Sequence, residues 1–165
     1  VIEEIPLLDP KDVSKKTRNK EYEDVLALFS NKILSPETIT AHSTSTVTRK
    51  NVVLVRDENI IIAKWLGEKK DTPYYFCDTS REQCVSQTLI FSSPSPIQTF
   101  DFLPERDDVV IIARRNGIYA IDADRRRMQN FALVYAGVNP DFRIDTRGTF
   151  FIKDEGKLYR LSFEI

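Results

Sequence analysis

Histidine is all but missing from this chain. His42 is the only one among 165 residues, and the two cysteines have neither a histidine pair nor a second cysteine pair with which to complete a zinc site. His42 sits among Ala41, Ser43, Thr44 and Ser45, but no GxSxG or similar elbow supplies the exposed nucleophile and oxyanion donors that serine hydrolysis requires. No DxDxDG calcium loop, P-loop or GxGxxG turn is present either, so neither a catalytic residue, a metal nor a cofactor is expected. Long apolar runs are also lacking. No stretch of 18 apolar residues and no charged-then-apolar leader occurs, which excludes a spanning helix or export signal within these residues. The chain begins at Val1 rather than Met, which leaves room for a leader or anchor upstream. An excess of one charge is missing too: 24 basic and 25 acidic residues leave a formal charge of −1, so no global field attracts nucleic acid or an anionic bilayer.

What is present is enough apolar material, 41% of the residues, for one core-bearing domain. The clearest stretch is Ile97 to Asp122, IQTFDFLPERDDVVIIARRNGIYAID. Val109 to Ala113 is an unbroken apolar run, the mark of a strand covered on both faces. Asn116-Gly117 predicts a type I′ hairpin turn, Ile118 to Ile121 is the return strand, and Ile97 to Leu103 precedes the run as a further strand.

The same hairpin recurs. Placing Asn51, Asp108 and Gly148 in register aligns VVLV, VVII and TFFI, then Asn59, Asn116 and Gly156, then Ile61-Ile62, Ile118-Tyr119 and Leu158-Tyr159. Asn and Gly at the shared turn position predict positive φ there. From Asp108 to Gly148 is 40 residues and from Asn51 to Asp108 is 57, the surplus of 17 falling within Gly67 to Cys84. A period near 40 is that of a four-stranded propeller blade. The fold expected is therefore all-β: a partial or small β-propeller of repeated antiparallel blades with one N-terminal helix, the alternative being a β-sandwich.

Tyr22, Val25, Leu26 and Phe29 share one helical face, predicting a helix over about 19–32. Residues 1–18 read as an N-terminal arm and 19–165 as the β domain. Leu34 to Glu37 reads as a turn, and Thr38 to Thr48 as an exposed strand. Tyr74 to Cys77 reads as a short aromatic strand and Val85 to Phe91 as another. The last blade lacks a fourth strand after Phe163, and Val1 to Ile5 is the segment expected to fill it.

Cys77 and Cys84 stand seven apart in YYFCDTSREQC. They read as a disulfide, two unrelated buried thiols being the competing reading. As a disulfide they would restrain the unfolded chain by roughly 2.5 kcal/mol and indicate an oxidising compartment.

PIQTFDFLPERDDVVIIARRNGIYAID at Pro96 to Asp122, YAGVNPDFRID at Tyr135 to Asp145 and KLYRL at Lys157 to Leu161 resemble the C-terminal propeller-like region of bacterial PEGA domain-containing proteins. The resemblance runs from about Lys20 to the end. It implies an extracytoplasmic, non-enzymatic envelope protein, held to the membrane through an upstream anchor and joined to other parts of a longer parent chain, with no catalytic residue to carry over. Neither the anchor nor a clear PEGA module occurs in these residues.

The basic groups Arg114, Arg115, Arg125, Arg126 and Arg127, with the aromatic pair Tyr74 and Tyr75, are the candidate binding residues. Ordinary solvated loop charges and core aromatics are the competing reading. The leading expectation is a structural or binding module of the cell envelope, contacting a protein or envelope polymer through loops around Gly67 to Cys84 and Asp124 to Asn130. A surface glycan hydrolase using two carboxylates is the alternative. A cytosolic scaffold is a third reading, if the cysteines are reduced.

Overall fold

The computed structural model describes residues 1–6, 16–30 and 45–162. Twelve strands and one α-helix occur among them: β1 (Ile2–Ile5), α1 (Lys16–Ser30), β2 (Ser45–Arg49), β3 (Val52–Asp57), β4 (Ile60–Trp65), β5 (Gln87–Ser92), β6 (Thr99–Phe102), β7 (Val109–Arg114), β8 (Gly117–Asp122), β9 (Phe131–Ala136), β10 (Asp141–Ile144), β11 (Phe150–Asp154) and β12 (Lys157–Leu161). They form three four-stranded antiparallel sheets, ordered β2-β3-β4-β5, β6-β7-β8-β9 and β10-β11-β12-β1. A sandwich has two facing sheets; here three stack in series. His42, the turn at Leu34 to Glu37, the part of the expected strand that precedes Ser45 and the helix end at 31–32 lie outside the described residues.

The aligned register is the register of packing. In the first interface Val52, Leu54, Ile61 and Ala63 of the first sheet meet Val110, Ile112, Tyr119 and Ile121 of the second. In the next, Ile111, Ala113 and Ile118 of the second sheet meet Phe150, Ile152 and Leu161 of the third. Each sheet thus lays one face on the opposite face of its successor. The middle sheet is covered on both sides, which is why all six positions of β7 are buried and its sequence does not alternate. Burying such a side chain contributes about 1.5–3 kcal/mol before entropy is counted.

The pairing shifts register between Ile61 and Ile62 in the first sheet and between Ile118 and Tyr119 in the second, which are equivalent residues. A bulge at matching positions is a feature of the copied unit. In the third sheet the partner of β12 is β1, paired without a shift from Ile2↔Leu161 to Ile5↔Leu158, as the missing fourth strand predicted. The Val1 ammonium donates to the Ser162 carbonyl at 2.8 Å, the Ser162 amide donates to the Val1 carbonyl at 2.9 Å, and Lys157 pairs with Glu4 at 3.3 Å. The outer face of the third sheet, through Phe151 and Leu158, packs with Ile5 against Val25 and Phe29 of α1.

Two local expectations are corrected. Only Gly156 of the three shared turn residues has positive φ (80°); in the first copy Glu58 takes it instead (52°), and in the second Gly117 does (155°). The β7–β8 turn is therefore not type I′, which needs positive φ at both central residues. A Cβ on Gly117 would lie 2.6 Å from the Tyr135 carbonyl oxygen, so close backbone approach reserves that position for glycine. The second correction concerns Tyr74–Phe76, which forms a 3₁₀ turn rather than a strand. Its Tyr75 and Phe76 side chains enter the first core from that turn, and Cys77 makes only an isolated bridge to Cys84.

Candidate binding cleft

The segment between β4 and β5 leaves the first sheet and is fastened to the second. The Tyr75 hydroxyl donates to the Asp107 carbonyl at 2.9 Å and the Tyr74 hydroxyl to Asp108 Oδ2 at 3.1 Å. Burial, then the bond to Asp108, pushes the Tyr74 phenol up to about 12; burial likewise raises Tyr75. Cys77 and Cys84 are joined in a disulfide. Inside the loop it closes, Asp78 acts as a hub: its Oδ1 accepts the Glu82 amide at 3.0 Å and the Gln83 amide at 3.3 Å, and its Oδ2 accepts the Ser80 hydroxyl at 2.8 Å. These donors, the Ser80 hydroxyl first, hold its carboxyl below the usual range. Arg81 stands exposed in this loop at a φ of 62°.

The second wall comes from the loop after β8. Asp124 Oδ1 accepts the Arg126 amide at 3.0 Å and Nε at 2.9 Å, while Oδ2 accepts Nη2 at 2.9 Å. That fork draws the Asp124 carboxyl down and the guanidinium up. Arg126 also lies over the Tyr74 ring at 5.2 Å and donates from Nη1 to the Asp78 carbonyl at 3.2 Å, joining the two loops. Gln129 Nε2 anchors the same loop to the first sheet by donating to the Ile90 carbonyl at 2.7 Å. Between the walls lies an open cleft of about 400 Å³ lined by Tyr74, Thr79, Arg81, Asp124, Arg126 and Arg127.

No family model, curated protein or solved structure matches this chain.

Of the binding residues expected from sequence, the structure brings Tyr74, Arg126 and Arg127 into this cleft, with Arg125 exposed beside it. Tyr75 is buried beneath. Arg114 is elsewhere and only 9% exposed, its guanidinium 4.4 Å from the Tyr119 ring and 5.4 Å from that of Phe131. Arg115 is exposed at the opposite end of β7 from Asp108, where its carbonyl accepts the Asn139 amide at 2.6 Å. Arg81 and Thr79 were not singled out from sequence. Their signal was available: both lie in the short, exposed span that the cysteine pair closes.

A second cleft, of about 390 Å³, lies where the first strands of the three sheets converge, and is lined among others by Arg56, Thr99, Asp101 and Arg143. Burial raises the Asp101 carboxyl, against the Phe102 amide bond and the Arg49 charge. Among the described residues it is the only carboxylate lining that cleft; neighbouring Asp141 is paired with Arg143 at 2.9 Å. No group of three or more metal-ligating side chains occurs among the described residues, and no described helix is long and apolar enough to cross a membrane.

Proposed function

We propose that this chain is a non-enzymatic binding module working outside the cytoplasm, its sheets serving as blades of a propeller-like array and its arginine-lined cleft as the contact surface. The observation that carries the reading is the union of two loops from different sheets, Cys77 to Cys84 and Asp124 to Asn130, into one cleft through Arg126. Loops on a packed scaffold are where binding residues concentrate. The disulfide supports an oxidising compartment, and the resemblance to PEGA domain-containing proteins supports the bacterial envelope. The partner is an envelope polymer or protein, with attachment to the membrane through an upstream segment and to other parts of a parent chain. Charge balance argues against nucleic acid.

Replacing Arg125, Arg126 and Arg127 with Gln tests this. Retention of the folded variant on isolated envelope material falls severalfold below that of the unaltered protein; equal retention removes these residues from the account.

The hydrolase reading draws on Asp101, an acid with a raised pKa in an open cleft. It needs a second carboxylate about 5–10 Å away, and no other described carboxylate lines that cleft. Release of reducing ends from envelope glycans, abolished by Asp101→Asn, would favour it over binding. The scaffold reading needs free thiols, and thiol titration of unreduced protein is expected to find none.

A further inference from the structure

The cleft's ligand and its dependence on the cysteine pair can be argued further, on the reading just given. Three guanidinium groups, Arg81, Arg126 and Arg127, face one carboxylate, Asp124, around the cleft. They are not equivalent. Both oxygens of Asp124 and the Asp78 carbonyl occupy Arg126, and its flat face covers Tyr74. Arg126 therefore holds the walls together and contributes its charge mainly by proximity. Arg81 and Arg127 are exposed, and among the described residues neither side chain has a hydrogen-bond or ion-pair partner, although the Arg127 charge helps to lower the Asp124 carboxyl. Their forks are free for oxygen atoms of a ligand. A guanidinium fork matches the paired oxygens of a phosphate or carboxylate, and the Thr79 hydroxyl adds a donor on the same wall.

The two free arginines come from different sheets. Arg127 rides on the loop after β8, whereas Arg81 is placed by the Asp78 hub within the span that Cys77 and Cys84 close. Without the disulfide, the restraints on this span among the described residues are all non-covalent: the backbone bridge, the bonds to Asp78, the Glu82 amide on the Ser80 hydroxyl at 3.3 Å and the Arg126 guanidinium on the Asp78 carbonyl at 3.2 Å. An exposed arginine in a short polar loop has no apolar contact to keep it in place, so the cleft's second cationic wall depends on the covalent closure.

We propose that this cleft binds a flexible polymer carrying repeated oxyanions, with Arg81 and Arg127 as its paired anchors, and that the Cys77–Cys84 disulfide is required to set Arg81 for binding. The cleft is open rather than enclosed and of a size for about one charged repeat. That suits successive weak contacts along a chain better than a buried small molecule, and multivalency along the polymer supplies the affinity. The oxyanion could be a phosphodiester or a uronate carboxylate, and the probes separate the two.

The test uses the intact oxidised protein, with immobilised poly(glycerol phosphate), polygalacturonate, neutral dextran and anionic lipid vesicles as probes. One or both anionic polymers bind, dextran does not, and binding weakens steeply with salt. Arg81→Gln with Arg127→Gln weakens binding about tenfold, and Cys77→Ser with Cys84→Ser weakens it to a similar extent while circular dichroism shows the sheets intact. Binding to the phosphate polymer alone assigns the phosphodiester; binding to the uronate alone assigns the carboxylate. Equal binding to dextran, unchanged binding of either double variant, or binding only to the lipid vesicles overturns the proposal. If Arg125, Arg126 and Arg127 prove necessary for envelope retention while the Arg81 and cysteine variants bind normally, this inference fails and the binding-module reading stands.

Discussion

Asp101 and Asp108 show how one kind of side chain acquires opposite roles from its surroundings. Burial raises the Asp101 carboxyl, whereas the Arg106 fork, at 2.6 and 2.9 Å, lowers Asp108. An acid with a raised folded-state pKa costs stability once the pH exceeds the ordinary carboxylate value of about 4; an acid with a depressed one stabilises above that value and loses the contribution as the pH falls through its folded-state pKa. Asp101→Asn is therefore predicted to raise Tm at pH 7, with the gain vanishing below about pH 4. Asp108→Asn lowers Tm at pH 7, with the loss shrinking toward acid. Thermal melts from about pH 3 to pH 8, spanning the carboxylate range, check both signs. Gly117 makes a steric prediction: its φ of 155° and the Tyr135 carbonyl 2.6 Å from a would-be Cβ set the cost of Gly117→Ala at about 2 kcal/mol, readable by denaturant titration. At this scale the sequence was a partial guide. Arg114 and Arg115 read as one cluster, but the turn separates them, and stacking over Tyr119 and Phe131 holds the first against the sheet. Adjacent charges in sequence carry no information about which will be captured by an aromatic face from the next strand.

The strands were legible where burial leaves a pattern. Val109 to Ala113 reads as two-sided because sheets cover both faces, and the Tyr22, Val25, Leu26, Phe29 stripe reads as a helix because that face meets Phe151 and Leu158. The aromatic run at Tyr74 misleads because a short apolar segment has the same composition in a strand and in a buried turn. Pro73 before it and the closure at Cys77 leave it three residues long. The turns misled for a related reason. Positive φ falls on Glu58 and not on Asn59 in the first copy, and on Glu155 as well as Gly156 in the third, so it is not confined to the most tolerant residue of the turn. For the cysteine-closed segment, reduction is predicted to lower the unfolding free energy by about 2.5 kcal/mol. Chemical denaturation with and without reductant measures it, and an unchanged midpoint would show that the loop is already ordered when unfolded.

Across the whole molecule, one hairpin copied three times accounts for the order of the cores. The face carrying Leu54, Ile111 or Phe151 is always covered by the next element in the stack, a sheet twice and α1 once. Their counterparts on the opposite face, Val110 and Phe150, are buried against the preceding sheet, while Val53 in the first sheet is only half-buried. The repeat and the union of the termini were both readable from sequence, since they rest on spacing and on an unfilled strand position. The cleft was readable only as two separate loops; its assembly depends on Arg126 and Asp78 meeting across sheets. Site-resolved hydrogen exchange tests the stacking most directly. The amides of β7 and the inner half of β8, covered by sheets on both faces, are predicted to exchange slowest in the chain, and those of β2 and β9 at the sheet edges much faster. Exchange of β7 as rapid as that of β2 would contradict the series of stacked sheets on which the cleft is built.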